Sequence, residues 1–236
     1  GAAGLALALG ATAGHAAATH VFDTTNPLSI PGLTGFTTTG AMMSGMSVTA
    51  SFTNGFSETL SWATTGADSG GVFGSGWSLT QAGDTFVGID AAVQGRWEFT
   101  LSSTSGALSL ETLFLQGDPG LTIFDVDMYD NCTSYVPSGF DESCTTGSAR
   151  GSRFRFLGNE TATVTYTQAL ALGAANVVGD IFHNMLIDFG PNGIRTGFRF
   201  DQDTDNDARM LIPEPGALAL VGLALAGLGL SRRRRG

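Results

Sequence analysis

The sequence predicts an all-β fold, a two-sheet β-sandwich of jelly-roll type, and three observations carry that expectation. The 236 residues include 34 glycines and long stretches of Ser and Thr, with few Leu or Glu outside the ends and no Lys, a composition that favours strands and turns over helices. Hydrophobicity alternates with period two through the middle of the chain, and no long amphipathic helical pattern interrupts it. Clusters of Gly, Asn and Pro separate the alternating runs. Ten or so short strands divided by such turns pack as two layers. With 42% apolar and 14% charged residues, the chain can bury a sizeable core, and its length suits one domain of sandwich size.

Taken in order, segment 20–45, rich in Thr, Gly and Pro, reads as an irregular lead-in or an edge strand. From Met46 to Phe52 every second residue is apolar and each residue between is a hydroxyl, which predicts a strand with one buried face. The same alternation recurs at Trp97, Phe99 and Leu101; at Phe124, Val126 and Met128 against Asp125 and Asp127; and at Phe154 and Phe156 against Arg153 and Arg155. It returns at Ala162, Val164 and Tyr166 between threonines, and at Phe198 and Phe200 against Arg199 and Asp201. Further strands are expected at 59–63, 77–81, 108–115 and 181–189, the last apolar on both faces and therefore central. Asn54-Gly55, Gly70-Gly71, Gly117-Asp118-Pro119-Gly120 and Pro191-Asn192-Gly193 are the predicted turns. Alternation places Trp62 and Trp97 in the core, whereas Trp77, beside Gly74-Ser75-Gly76, competes between core packing and a sugar-stacking platform. There is no internal repeat at a fixed period.

Both ends differ from this body. Gly1 to Ala18 is an uncharged Ala, Leu and Gly run closing on Ala16-Ala17-Ala18, the pattern of a secretory signal peptide cleaved after Ala18. With no initiator Met and no basic n-region, that peptide is expected to be truncated at its start. At the other end Ala217 to Leu230 is apolar, and Arg232, Arg233, Arg234 and Arg235 follow it. As a helix this run rises about 21 Å against about 30 Å of hydrocarbon, marginal for a span. Pro213 and Pro215 break any helix arriving from upstream, and an arginine cluster holds its end on the cytoplasmic side, acting as a membrane stop. Pro213-Glu214-Pro215, the apolar helix over 216–230 and the arginines at 232–235 together resemble the tripartite PEP-CTERM sorting signal. The resemblance covers about a tenth of the chain. It implies an exosortase as partner, a transient membrane anchor, and sorting to the cell surface or an extracellular polysaccharide matrix. The chain thus divides into a signal peptide (1–18), a sandwich domain (19–207) and a sorting segment (208–236).

All 11 basic residues are arginine and four form the terminal cluster, which leaves seven against 21 carboxylates in the rest of the chain. Such a surface repels phosphate backbones, so nucleic acid is excluded as a partner and divalent cations are favoured. The absence of lysine removes Schiff-base and P-loop chemistry. Cys132 and Cys144, alone in an exported chain and separated by 11 residues, are expected to form a disulfide. Asp125-Val126-Asp127-Met128-Tyr129-Asp130 has the acid spacing of the E-x-D-x-x-E motif of jelly-roll glycosidases, with aspartate shortening each outer position by a methylene. Asp201, Asp203, Asp205 and Asp207 begin like a calcium loop, but Asn206 and Ile212 stand where the EF-hand requires Gly and Glu. A solvated spacer or a weak calcium contact is expected there. His183, on the face of Met185 and Ile187, reads as a packed histidine, and no G-x-S-x-G or H-E-x-x-H accompanies it.

The expected function is that of a non-enzymatic surface or matrix protein with no required cofactor. Two alternatives remain: a carbohydrate-binding module, which needs Trp77 and Tyr129 exposed on one concave face, and a glycoside hydrolase built on Asp125 and Asp130.

Overall fold

The computed structural model describes residues 18–34, 38–86, 97–102, 108–126, 151–172 and 177–207. Their regular structure is strand, with 3-10 turns at Gly40–Met43 and Asp118–Gly120. In chain order the strands are β1 (Thr19–Phe22), β2 (Leu28–Ile30), β3 (Leu33–Thr34), β4 (Ser47–Phe52), β5 (Ser57–Ser61), β6 (Ala63–Thr64), β7 (Ser69–Phe73) and β8 (Trp77–Ala82). They continue as β9 (Trp97–Leu101), β10 (Leu110–Gln116), β11 (Thr122–Asp125), β12 (Arg155–Phe156), β13 (Thr163–Leu172), β14 (Val177–Asp188), β15 (Phe198–Asp201) and β16 (Asp203–Asp207).

Two sheets result, as the alternating runs predict. Six strands form the second sheet in the order β12-β15-β9-β8-β7-β6, all antiparallel. The first sheet has ten strands and is organised on β14. Along one side β14 pairs with β13; along the other it pairs first with β10 and then with β11. β10 continues to β4 and β5, and β11 continues to β16 and β3. β10 and β11 thus follow one antiparallel line opposite β14, broken by the Gly117–Leu121 excursion, where Gly117 N donates to His183 O. The predicted central strand at 181–189 is central for this reason: a strand flanked on both sides and covered on its faces reads as apolar throughout. The lead-in resolves into β1 and β2, short strands pairing in parallel with the outer side of β13.

The core lies between the sheets. Val48, Ala50 and Phe52 of β4, Leu113 and Leu115 of β10, and Met185 and Ile187 of β14 face Leu79, Trp97, Phe99, Phe198 and Phe200 of the second sheet in one buried cluster. Ring contacts run through it, Trp97 on Phe200 at 5.5 Å and Phe99 on Phe198 at 5.1 Å between centroids, within the range of favourable aromatic pairs. At two of its crossings between the sheets the chain passes over a single residue. Trp62 separates β5 from β6, and Gln202 separates β15 from β16, so each is a hinge between layers of the kind that closes packed sheets at their edges.

Three sequence expectations are corrected. Gly70-Gly71 is not a turn but the centre of β7; a Cβ on Gly70 would collide with the Gly40 carbonyl and the Trp62 indole, so glycine is there for close approach rather than for turning. Asp125 does not lie on a wet face: all of β11 is buried. The ladder at Asp201 to Asp207 is not a solvated spacer, because Asp203–Asp207 is a strand held between β11 and β3 with every residue buried. Hydrogen bonding to two neighbours overrides the low strand propensity of Asp and Asn.

Candidate functional site

The fold brings Asp125 together with acids that lie 78 or more residues further along the chain. β11 and β16 pair antiparallel with Asp125 opposite Asp203, Ile123 opposite Asp205 and Thr122 opposite Asn206. Alternation along β16 therefore sets Asp203, Asp205 and Asp207 on the face shared by Asp125 and Ile123. Asp203 Oδ1 accepts from Thr85 Oγ1 at 3.0 Å, and the same hydroxyl accepts from Thr204 N at 3.1 Å. Burial, then the neighbouring Asp205 carboxylate, pushes the Asp203 acid well above the usual carboxylate range, with Asp84 adding to it. Asp84 is itself raised by burial. Two carboxylates removed from water cannot both keep full charge at ordinary cost, so Asp203 holds its proton more firmly than a surface aspartate.

Asp201 is apart from this group. It lies on the second sheet and pairs with Arg155 Nη2 at 2.6 Å. His183, fully buried, has its ring nitrogens 3.6 Å from Asp118 Oδ1 and 3.9 Å from Asp207 Oδ2, so it packs within the acidic end of the first sheet rather than in the core seam. Among the described residues no group of three or more His, Cys, Asp or Glu side chains converges to hold a metal ion. Asp130, Tyr129, Cys132, Cys144 and the segment from 208 onward, including Pro213, Glu214, Pro215 and Arg232 to Arg235, lie outside the described residues. So do the signal-peptide residues 1–17. Among the described residues no helix is long and apolar enough to cross a membrane.

The tryptophans are all interior. Trp62 donates its indole N–H to Gly40 O at 2.7 Å, Trp97 to Gln202 O at 2.9 Å, and Trp77 to Glu58 Oε2 at 2.8 Å. Trp77 is only 3% exposed and cannot serve as a sugar-stacking platform, so core packing is the reading that holds for it. Its neighbour Glu58 also accepts from Ser75 N at 2.7 Å and Ser75 Oγ at 3.1 Å. The carboxylate thereby ties the Gly74–Gly76 turn to β5, and the Ser75 amide bond holds its pKa below the usual range.

One concave surface was not signalled by any sequence motif. An open pocket of about 410 Å³ lies on the outer side of the second sheet, lined chiefly by Glu98, Thr100, Leu157, Glu160, Gly197 and Arg199. The only sequence hint is alternation itself, which points Glu98, Thr100 and Arg199 away from the core.

The chain joins a two-sheet β body to a terminal segment of sorting-signal type. Residues 211–235 match the family model of the PEP-CTERM protein-sorting motif. The chain carries that motif where Pro213-Glu214-Pro215, the apolar run and the arginines stand in order, and the motif implies export, transient membrane anchoring and recognition by an exosortase. No curated protein and no solved structure matches the chain.

Proposed function

We propose that the chain is a non-enzymatic protein of the cell surface or extracellular polysaccharide matrix, held briefly in the inner membrane by residues 216–235 and released by an exosortase that recognises Pro213-Glu214-Pro215. The sorting motif at 211–235 is the observation that carries this. Four arginines resist crossing the hydrocarbon at about 2.5 to 3.5 kcal/mol each on insertion scales, which stalls export with the motif at the outer interface. Two prolines keep it extended, and Glu214 offers a charge for recognition. Glu214→Ala should block processing while export and folding persist. Mass spectrometry of released protein decides it: peptides covering 218–230, or normal release of the variant, point to a permanent anchor instead.

Burial of Asp125 at 0% exposure supports a non-enzymatic body, since a glycosidase nucleophile must reach its sugar. Cys132 and Cys144 are bonded in the exported protein under the same proposal. Closing a loop of this length stabilises by roughly 3 kcal/mol in the chain-entropy model. Thiol labelling of denatured, unreduced protein should recover no free cysteine; two per chain would refute the bond. No cofactor is required, and calcium enters only as a weak contact of Asp203, Asp205 and Asp207, Asp201 being held by Arg155; melting curves in calcium and in chelator compare this directly.

A further inference from the structure

We propose that the outer face of the second sheet binds a neutral polysaccharide, in the pocket of Glu98, Thr100, Glu160 and Arg199 and along the sheet to Phe73, a site that rests on the matrix role proposed above. Two glycines hollow out the pocket. A Cβ at Gly197 would meet the Phe99 carbonyl, and one at Gly158 would meet the Glu160 carboxylate, so the floor is backbone and the wall is a carboxylate. The resulting volume, about 410 Å³, is of the size that small ligands or single sugar units occupy.

Its polar groups are fixed before any ligand arrives. Arg199 Nε and Nη2 both donate to Glu98 Oε1, at 3.1 and 3.0 Å, which leaves Glu98 Oε2 as an acceptor and Arg199 Nη1 as a donor. Both side chains are about half exposed, 44% and 56%, yet each holds the other in place, so binding costs little further ordering. Strand register then extends the face. Phe73 is opposite Ser78 on β8, and Ser78 is opposite Thr100 on β9. The Ser78 and Thr100 hydroxyls are hydrogen-bonded at 2.7 Å, and Phe73 is 64% exposed, the most open large apolar side chain among the described residues. Two strand spacings, about 10 Å, separate its strand from β9, a distance that a short run of sugar rings covers.

The chemistry selects among ligand classes. An anion would meet two carboxylates beside one guanidinium on an acidic protein. A wholly apolar ligand would strip water from charges and leave them unpaired. A sugar meets neither obstacle: its hydroxyls donate to Glu98 and Glu160 and accept from Arg199, and its C–H face lies on Phe73. The pocket is open, so it takes an internal stretch of a chain rather than requiring an end.

Affinity electrophoresis of the full chain tests this, in gels containing dextran, a β-1,3-glucan, a galactomannan or the anionic polymer alginate. Retardation by at least one neutral polymer is expected, with Arg199→Ala weakening it at least ~10-fold and Phe73→Ala about 3- to 10-fold. Phe73→Ala keeps the test decisive should Arg199→Ala unfold, because its side chain is largely in solvent. Retardation by none of the neutral polymers, by alginate alone, or equally for wild type and a folded Phe73→Ala variant would overturn the proposal. Binding is read on purified protein, so it stands or falls separately from the Glu214→Ala release assay.

Discussion

Gln202 shows how much one side chain can organise at a corner. Its Nε2 donates to the carbonyls of Asp125 and Asp203 at 3.0 and 2.7 Å, and its Oε1 accepts from the Tyr166 hydroxyl at 2.6 Å. Its own carbonyl accepts from the Trp97 indole, and the Tyr166 hydroxyl oxygen accepts from Phe154 N. Burial pushes the Tyr166 phenol far up, so it remains a donor to Gln202 at every ordinary pH. Glu58 does comparable work at the opposite edge. Its folded pKa is depressed, so the stability it supplies is present above its unfolded value near 4.5 and is lost as pH falls through the folded one. Glu58→Gln should lower the melting temperature at pH 7 by about 2–4 °C, the consequence of about 1 kcal/mol of hydrogen bonding. The difference from wild type should vanish in acid; a constant gap from pH 3 to 7 in a thermal scan would deny the ionised carboxylate this role. Neither residue was legible in the sequence, since a single Gln between strands, or a Glu on the outer side of one, looks like any solvated neighbour until its distant partners are known.

Among the elements, β16 departs furthest from its sequence signal. Aspartate and asparagine have low strand content in general, and in Asp203–Asp207 only Thr204 favours a strand over a spacer. What makes it a strand is pairing on both sides, with β11 and β3. By contrast β4, β8 and β9 were legible almost to the residue, because each buries one face and wets the other. The burial has a cost at Asp203, whose acid is raised. A group with a raised folded pKa contributes stability that is fully present below its unfolded value and is lost as pH rises through the folded one. Asp203→Asn keeps an acceptor for Thr85 and removes the charge. It should therefore melt about 2–4 °C above wild type at pH 7, for about 1 kcal/mol relieved, with the advantage gone near pH 3. If calcium rather than a proton neutralises the ladder, wild type will gain stability in calcium and Asp203→Asn will forfeit that gain; the two series of melting curves separate these outcomes.

At the scale of the whole molecule, the two-layer architecture and the sorting tail were both open to reading, for different reasons. Period-two patterning records which face of each strand is covered, and the tail is a short linear signal whose meaning does not depend on folding. The pocket on the second sheet was hidden because it depends on cross-strand neighbours: Glu98 meets Arg199 only through the pairing of β9 with β15. β16 also governs how the body meets mechanical load. The chain leaves it at Asp207 toward the segment that holds the protein in the membrane, so tension on that tether enters the body there. A strand at a sheet edge would peel away one hydrogen bond after another. β16 instead has four residues in register with β11 and two with β3, so a pull along it loads both ladders together rather than one bond at a time.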